Sequence, residues 1–179
     1  MGLYLRLVGR QSMASRHQQS LVGRRLQSLH TVASTVLDFS PENFQQMAGL
    51  ALFYDVRHYY YLAVTSDEQV GRCLCLFRMV QGSLDEPMGT PIPLTAGQVC
   101  LQVDIHGAGA QFRWSSSEGA LQDIGPVLDL TLLSDDFVYG LTGVFVSLCC
   151  QDLSGARQCA DFDFLQVSFP PVPRELRQE

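Results

Sequence analysis

Apolar residues in this chain arrive in short runs, and that spacing constrains the fold more than any other feature. The runs cover residues 3–8, 20–39, 47–54, 58–65, 71–79, 99–106, 110–115, 121–128, 142–150 and 161–168. Gly, Pro, Asp and Ser lie between them, and helical periodicity is scarce. Short alternating or apolar stretches broken by turn residues are the pattern of an all-β sandwich. One exception is expected at "PENFQQM", residues 41–47, where Ser40 suits an N-cap and Pro41 the first helical position, so the sequence predicts a single helical turn. The stretch "SSSEG" between "AQFRW" and "LQDIG" reads as a hairpin turn, and "GSLDEPMGTPIPL" as a Pro-rich connection. The domain is expected to span residues 1–169. The tail 170–179 carries three prolines that remove ladder donors, so it is expected to fray.

Within this pattern "HYYYLAV", residues 58–64, stands out because both of its faces are apolar. Successive side chains of a strand point to opposite faces, which groups Tyr59, Tyr61 and Ala63 on one side and His58, Tyr60, Leu62 and Val64 on the other. A strand of this kind is covered on both sides. One face meets the partner sheet, and the other meets a domain interface or a sugar stacked on the tyrosines.

At 179 residues with 46% hydrophobic and 17% charged residues, the chain suits one domain with a sizeable core. No apolar run approaches the roughly 20 residues that span a bilayer, and no membrane partner is expected. The net charge of −6 argues against a nucleic-acid partner, although charge is unevenly spread. All 12 basic residues are arginine, and Arg6, Arg10, Arg16, Arg24 and Arg25 precede the first acid, Asp38. An acid-poor, Arg- and Ser-bearing start also resembles a transit peptide, but strand-like stretches such as "LYLRLVG" and "SLVGRRLQSLHTV" favour structured chain. Cys73, Cys75, Cys100, Cys149, Cys150 and Cys159 lie in apolar strand-like runs, with Cys73 and Cys75 on one face and Cys149 and Cys150 on opposite faces. They read as reduced, buried thiols in a cytoplasmic protein, since no secretory signal is visible.

No set of residues offers catalysis. His17, His30, His58 and His106 are scattered, and the G-x-G of "HGAGAQF" has no helix after it, so it reads as a tight turn rather than a phosphate loop. Glycoside hydrolysis needs two carboxylates facing each other across a scissile bond. The pairs Asp67/Glu68, Asp85/Glu86 and Asp135/Asp136 are neighbours in polar turns, where solvated acids are common. Asp161 and Asp163 in "ADFDFLQV" are expected to point the same way from a late strand, with Phe162 and Phe164 on the other face. They are the candidate Ca²⁺ ligands; no other metal or cofactor is expected.

The strings "LRLVGRQSMASRHQQSLVGRRLQ", "LDFSPENFQQMAGLALFYD", "HYYYLAVTSDE", "IGPVLDLTLLSDD" and "FVSLCCQDLSGARQCADFDF" resemble, in order, the C-terminal domain of glycoside hydrolase family 43 β-xylosidases. The resemblance covers nearly all of residues 3–166. It implies a concanavalin A-like jelly-roll β-sandwich of two antiparallel sheets that packs on a catalytic five-bladed β-propeller, here without an initial strand that such domains usually carry. It also implies an accessory role in a β-xylosidase or α-L-arabinofuranosidase, with xylo-oligosaccharides or arabinosides met through the propeller. In the family a loop with a pattern like G-F-T-G-A-F walls the pocket; here "GLTGVF", residues 140–145, places Leu141 at the aromatic position. The resemblance thus assigns the docking loop to Asp136, Phe137, Tyr139, Leu141 and Thr142. The rival reading is a free-standing carbohydrate-binding module with Tyr59, Tyr61 or Trp114 as its platform.

On this reading the purified chain leaves aryl xylosides and arabinosides intact. Turnover that survives repurification and disappears with a single Asp or Glu substitution would overturn it.

Overall fold

Each apolar run contributes at least one strand. The computed structural model describes residues 4–117 and 119–171. Its strands are β1 (Leu5–Val8), β2 (Ser20–Arg25), β3 (His30–Asp38), β4 (Gln46–Asp55), β5 (His58–Asp67), β6 (Gly71–Val80) and β7 (Ser83–Asp85). They continue with β8 (Ile92–Pro93), β9 (Val99–His106), β10 (Gly109–Ser116), β11 (Gln122–Asp129), β12 (Phe145–Asp152), β13 (Cys159–Phe162) and β14 (Gln166–Ser168). Between β11 and β12 lie a 3₁₀ turn, Leu130–Leu133, and a four-residue helix α1, Asp135–Val138.

The strands form two seven-stranded antiparallel sheets. The first runs β1-β13-β3-β9-β10-β11 with β14 also on β3, and the second β2-β12-β4-β5-β6-β7 with β8 on β6. Their facing sides meet in one core, where Leu37, Leu101, Val103, Phe112 and Phe162 of the first sheet oppose Leu50, Leu52, Tyr60, Leu62, Leu74 and Leu148 of the second. Truncating any of these to Ala costs about 2–5 kcal/mol by lost transfer energy and the cavity left behind. The hydroxyl of buried Tyr60 donates to the Asp129 carbonyl at 2.5 Å, which satisfies its one polar atom.

The other face of β5 is buried too, and by this chain itself. Tyr59, Tyr61 and Ala63 join Ala51, Cys73, Cys75, Phe77, Met79 and Cys149 in a second apolar cluster on the outer side of the second sheet. Met13, from the segment between β1 and β2, is inserted there and is 1% exposed. Tyr61 lies across β4, over Ala51, so that its hydroxyl reaches the Cys149 carbonyl two strands away at 3.4 Å. The sugar platform proposed at Tyr59 and Tyr61 is therefore corrected. At 6% and 2% exposure neither ring has a free face. Trp114 shares the inward face of β10 with Ala110 and Phe112 and packs half-buried against the core, with its open part lining a cavity of about 210 Å³ beside Arg72 and Leu94.

Further expectations change. The run 20–39 divides, β2 joining the second sheet and β3 the first. No helical turn forms at residues 41–47. The chain there makes a single turn, the Gln46 N–H donating to the Asn43 carbonyl at 3.2 Å, and passes at once into β4, while the Gln46 and Asn43 side chains accept from the Glu42 and Gln45 N–H groups at 2.7 and 3.0 Å. The run 161–168 breaks after β13, so Asp163 lies beyond the strand and Phe164 is exposed rather than core. Asp161 is directly opposite Arg6 on β1, whose Nε and Nη2 donate to its two oxygens at 2.7 Å each. That ion pair closes the edge of the first sheet and removes Asp161 from the Ca²⁺ pairing expected with Asp163. The last described strand ends at Ser168, close to the expected boundary, and the expected fraying of the tail concerns residues of which 172–179 lie outside the described ones.

All six thiols are free, with Cys73 and Cys75 on one face and Cys149 and Cys150 on opposite faces. Burial pushes the Cys75 and Cys149 thiols up to about 12. Cys159, expected in the interior, is exposed because it alternates with buried Ala160 and Phe162 and so shares the outer face of β13 with Asp161.

On β12, Ser147 belongs to the outer face with Cys149. It sits between Gly23 of β2 and Ala51 of β4, and its buried hydroxyl has no hydrogen-bond partner among the described residues. An unpartnered buried hydroxyl is a net cost. Ser147→Ala is expected to raise stability by about 1 kcal/mol in urea unfolding, on the scale of a lost desolvation penalty. A loss of similar size would mean that the hydroxyl is satisfied.

Candidate functional site

At the end of the sandwich where β4 turns into β5, the connection from β11 to β12 projects from the body. Its local bonding is complete. Asp129 caps the 3₁₀ turn by accepting from the Thr131 N–H at 2.9 Å, and Ser134 caps α1 by accepting from the Phe137 N–H at 3.2 Å. The helix ends at Tyr139 in the left-handed conformation, φ 58°, its N–H donating to the Asp135 carbonyl. The Gly140 N–H reaches the same carbonyl at 3.2 Å.

Asp135 ties this excursion to the second sheet. One of its oxygens accepts from the Tyr54 hydroxyl at 2.6 Å and from the Gly143 N–H at 3.1 Å, joining β4 to both ends of the loop. The Tyr54 hydrogen bond, helped by the Gly143 N–H, holds the Asp135 carboxyl below its ordinary value. Burial, with the Asp135 hydrogen bond in second place, pushes the Tyr54 phenol up. The Tyr54 hydroxyl passes so close to Gly140 that a Cβ there would lie 2.1 Å from it, which excludes any side chain at that position.

The loop residues named from the sequence divide accordingly. Phe137 is half-buried and meets the His58 ring edge-on, centroids 6.3 Å apart, while His58 Nδ1 lies 2.9 Å from Asp55. It is a packing residue of the loop base. Asp136 and Thr142 are exposed, and Tyr139 and Leu141 stand out at 95% and 91% exposure. Leu29, 56% exposed, adds to the apolar surface beside a cavity of about 190 Å³ lined by Leu26, Leu130, Leu133 and Val144.

In each turn pair one carboxylate has a structural partner, while Glu68, Glu86 and Asp136 are exposed. Asp67 accepts from the Gln69 and Val70 N–H groups, Asp85 pairs with Arg78, and Asp135 anchors the loop. Among the described residues no group of three or more His, Cys, Asp or Glu side chains is placed to hold a metal ion. Asp135 and Tyr54 were not identified from sequence as a pair. They lie 81 residues apart, and no spacing rule joins a strand tyrosine to a turn acid.

Residues 2–168 match the family described as the β-xylosidase C-terminal concanavalin A-like domain. The chain belongs to that family. It is 38% identical to a β-xylosidase of Bacillus subtilis and 37% to xylosidase/arabinosidase 43B of Humicola insolens, over 91% and 89% of its own length. It superposes on the crystal structure of a xylan β-1,4-xylosidase from Bacillus halodurans with a TM-score of 0.89 and 41% identity, covering 92% of this chain. In each case it spans about a third, 32%, of the relative. The β-xylosidase C-terminal domain is thus an accessory domain of family 43 xylosidases and arabinosidases, and the concanavalin A-like sandwich read from the sequence is the fold it adopts.

Loop order is expected to depend on the charge of Asp135. Its folded pKa is depressed, so the contribution is complete above the ordinary carboxylate value of about 3.9. It falls away as pH drops through that value and then through the lower folded one. Amide exchange at Gly140 and Gly143, followed from pH 6 to pH 2.5, should lose protection in that window before the strands do. In Asp135→Ala the protection should already be absent at pH 6.

Proposed function

We propose that the chain docks a catalytic β-propeller through the 134–143 loop and helps to wall the pocket in which that propeller binds a xylo-oligosaccharide or arabinoside. The observation that carries this reading is the pair Tyr139 and Leu141. Two large apolar side chains, each more than nine-tenths exposed, sit on a loop whose base is fixed to the sheet by Asp135, Tyr54 and Gly143. A rigid loop with an apolar tip loses little conformational freedom on association and gains by burying that tip. On this reading the chain contributes no acid or base to the reaction: Asp85, Asp67 and Asp135 are held by Arg78, by backbone N–H groups and by Tyr54, and Glu86, Glu68 and Asp136 are exposed turn acids beside them. Membership of a family whose relatives are three times longer supports a partner of that size. The rival reading, a free-standing carbohydrate-binding module, loses its support with the burial of Tyr59 and Tyr61.

The test combines this chain with the catalytic portion of the Bacillus subtilis β-xylosidase, separately or as a fusion in place of that enzyme's own C-terminal third. Leu141→Asp is expected to weaken association about thirtyfold, the equivalent of roughly 2 kcal/mol for a charge placed in an apolar contact. It should leave the melting temperature of the isolated chain unchanged, because Leu141 packs on nothing. Leu141→Phe is expected to lower the Michaelis constant for xylobiose severalfold, an aromatic contact being worth about 1 kcal/mol. A substitution that unfolds the isolated domain while leaving association intact would place Leu141 in the core and remove the docking loop.

A further inference from the structure

At the end of β12 opposite the loop, the β-turn after Asp152 and the segment after β1 form a second, polar site. Phe145 and Asp152 close the two ends of β12, and seven residue steps of about 3.3 Å separate them by about 23 Å. A cavity of about 500 Å³ opens there between Gly9, Arg10, Gln11 and Gln18 on one wall and Asp152 and Arg157 on the other.

The walls are built closely. The Gly9 N–H donates to the Gln158 carbonyl and the Asp152 N–H to the Arg10 carbonyl, both at 2.8 Å. A Cβ at Gly9 would lie 2.6 Å from the Asp152 Cβ and 2.7 Å from the Gln158 carbonyl oxygen, so only glycine lets the two segments approach. This contact brings Arg10 and Arg157, both exposed, to the walls of the same cavity. Neither guanidinium has an ion pair or a side-chain hydrogen bond among the described residues, whereas Arg6, Arg78 and Arg113 all pair with aspartates. Asp152, the carboxylate nearest them, is buried and already accepts from the Ser154 N–H and hydroxyl, the Gln158 N–H and the Gln46 amide. It is committed to the turn. Arg157 is also held at φ 58°, a left-handed conformation that a long side chain adopts at a cost. Glycine would sit there without strain, so the guanidinium is what the position supplies.

We propose that this cavity binds a carboxylated sugar, a uronic acid, with Arg10 and Arg157 on the carboxylate and the Gln11 and Gln18 amides on ring hydroxyls. Paired arginines match a carboxylate by charge and by their planar donors. The Gln18 amide both donates and accepts, as a ring hydroxyl does, and the Gln11 amide, whose oxygen accepts from the Ser15 hydroxyl, has N–H groups left to donate, whereas a bare phosphate would engage only the N–H donors. The choice of a saccharide rests on the glycosidase reading above; the anion site itself does not.

The chain is titrated calorimetrically with D-glucuronate, D-xylose and inorganic phosphate. Glucuronate is expected to bind saturably, xylose not at all, and phosphate at least tenfold more weakly than glucuronate. Arg10→Gln and Arg157→Gly should each weaken glucuronate at least tenfold. Arg157→Gly should at the same time raise the melting temperature, because it relieves the left-handed strain, so lost binding cannot be ascribed to unfolding. Phosphate bound as tightly as glucuronate would overturn the saccharide assignment. No saturable anion binding, or binding that survives both substitutions, would overturn the site. Since no catalytic partner is present in this titration, its failure leaves the docking reading standing, and failed docking leaves this result untouched.

Discussion

The structure depends on burying both faces of one sheet. In an antiparallel sandwich one face of each sheet ordinarily meets water, and alternation of apolar and polar residues is the result. The first sheet follows that rule: its outer face carries Arg113 between Asp104 and Asp123, at 2.8 and 2.7 Å. The second sheet does not. With Tyr60, Leu62 and Val64 in the main core and Tyr59, Tyr61 and Ala63 in the outer cluster, β5 has no solvent face, and the segment carrying Met13 must lie over it. The position of that segment follows from this cover. The same stretch of chain forms one wall of the arginine-lined cavity, so burial of the tyrosines and placement of Arg10 are consequences of one requirement.

Rigidity at the middle of the second sheet is passed to the loop through Tyr54. This residue lies on β4, next to β5 and β12, and its hydroxyl is the fixed point that Asp135 grips. An apolar loop tip without such an anchor would fold back on the body to hide itself. Here Asp135 accepts from both Tyr54 and Gly143, and Phe137 is wedged against His58, so the tip remains extended. The loop's exposure is therefore maintained by bonding at its base, which is the arrangement expected where an association surface is prepared before the partner arrives.

How much of this is legible in the sequence can be argued from particular residues. The strands were legible because their alternation is a local property: Cys149 and Cys150 fall on opposite faces simply because they are neighbours. The resemblance to family 43 β-xylosidases, carried by strings such as "PENFQQM" and "CCQDLSG", gave the jelly-roll arrangement that alternation alone leaves open. What covers a face is not local. The tyrosines of "HYYYLAV" allow a sugar or a partner on their outer side, and only the path of a segment some 46 residues away, ending in Met13, decides for the protein's own core. The expected helical turn at Pro41 failed for a related reason. Good capping residues propose a helix, but the chain closes a single turn from the Gln46 N–H to the Asn43 carbonyl, and Gln46 is already the first residue of β4. At the loop, exposure of Leu141 followed from its flanking glycines, whereas the anchor at Asp135 required a tyrosine from another strand.

Leu141, at the position where the family resemblance implies an aromatic residue, stands two residues from Tyr139. Tyr139 ends α1 at φ 58°, where Gly is the usual residue, although Gly140 follows immediately and would have served one position later. A bulky residue in a left-handed cap costs of order 1 kcal/mol and is retained when the surroundings or the function require its side chain. The surroundings make no such demand, because the ring is 95% exposed. Leu141 supplies apolar area without a ring face, and Tyr139, two residues earlier on the same rigid loop, supplies a ring face with a hydroxyl at its edge. The tip of this loop thus presents a ring at 139 and an aliphatic group at 141, both open to solvent on a base that Asp135 fixes.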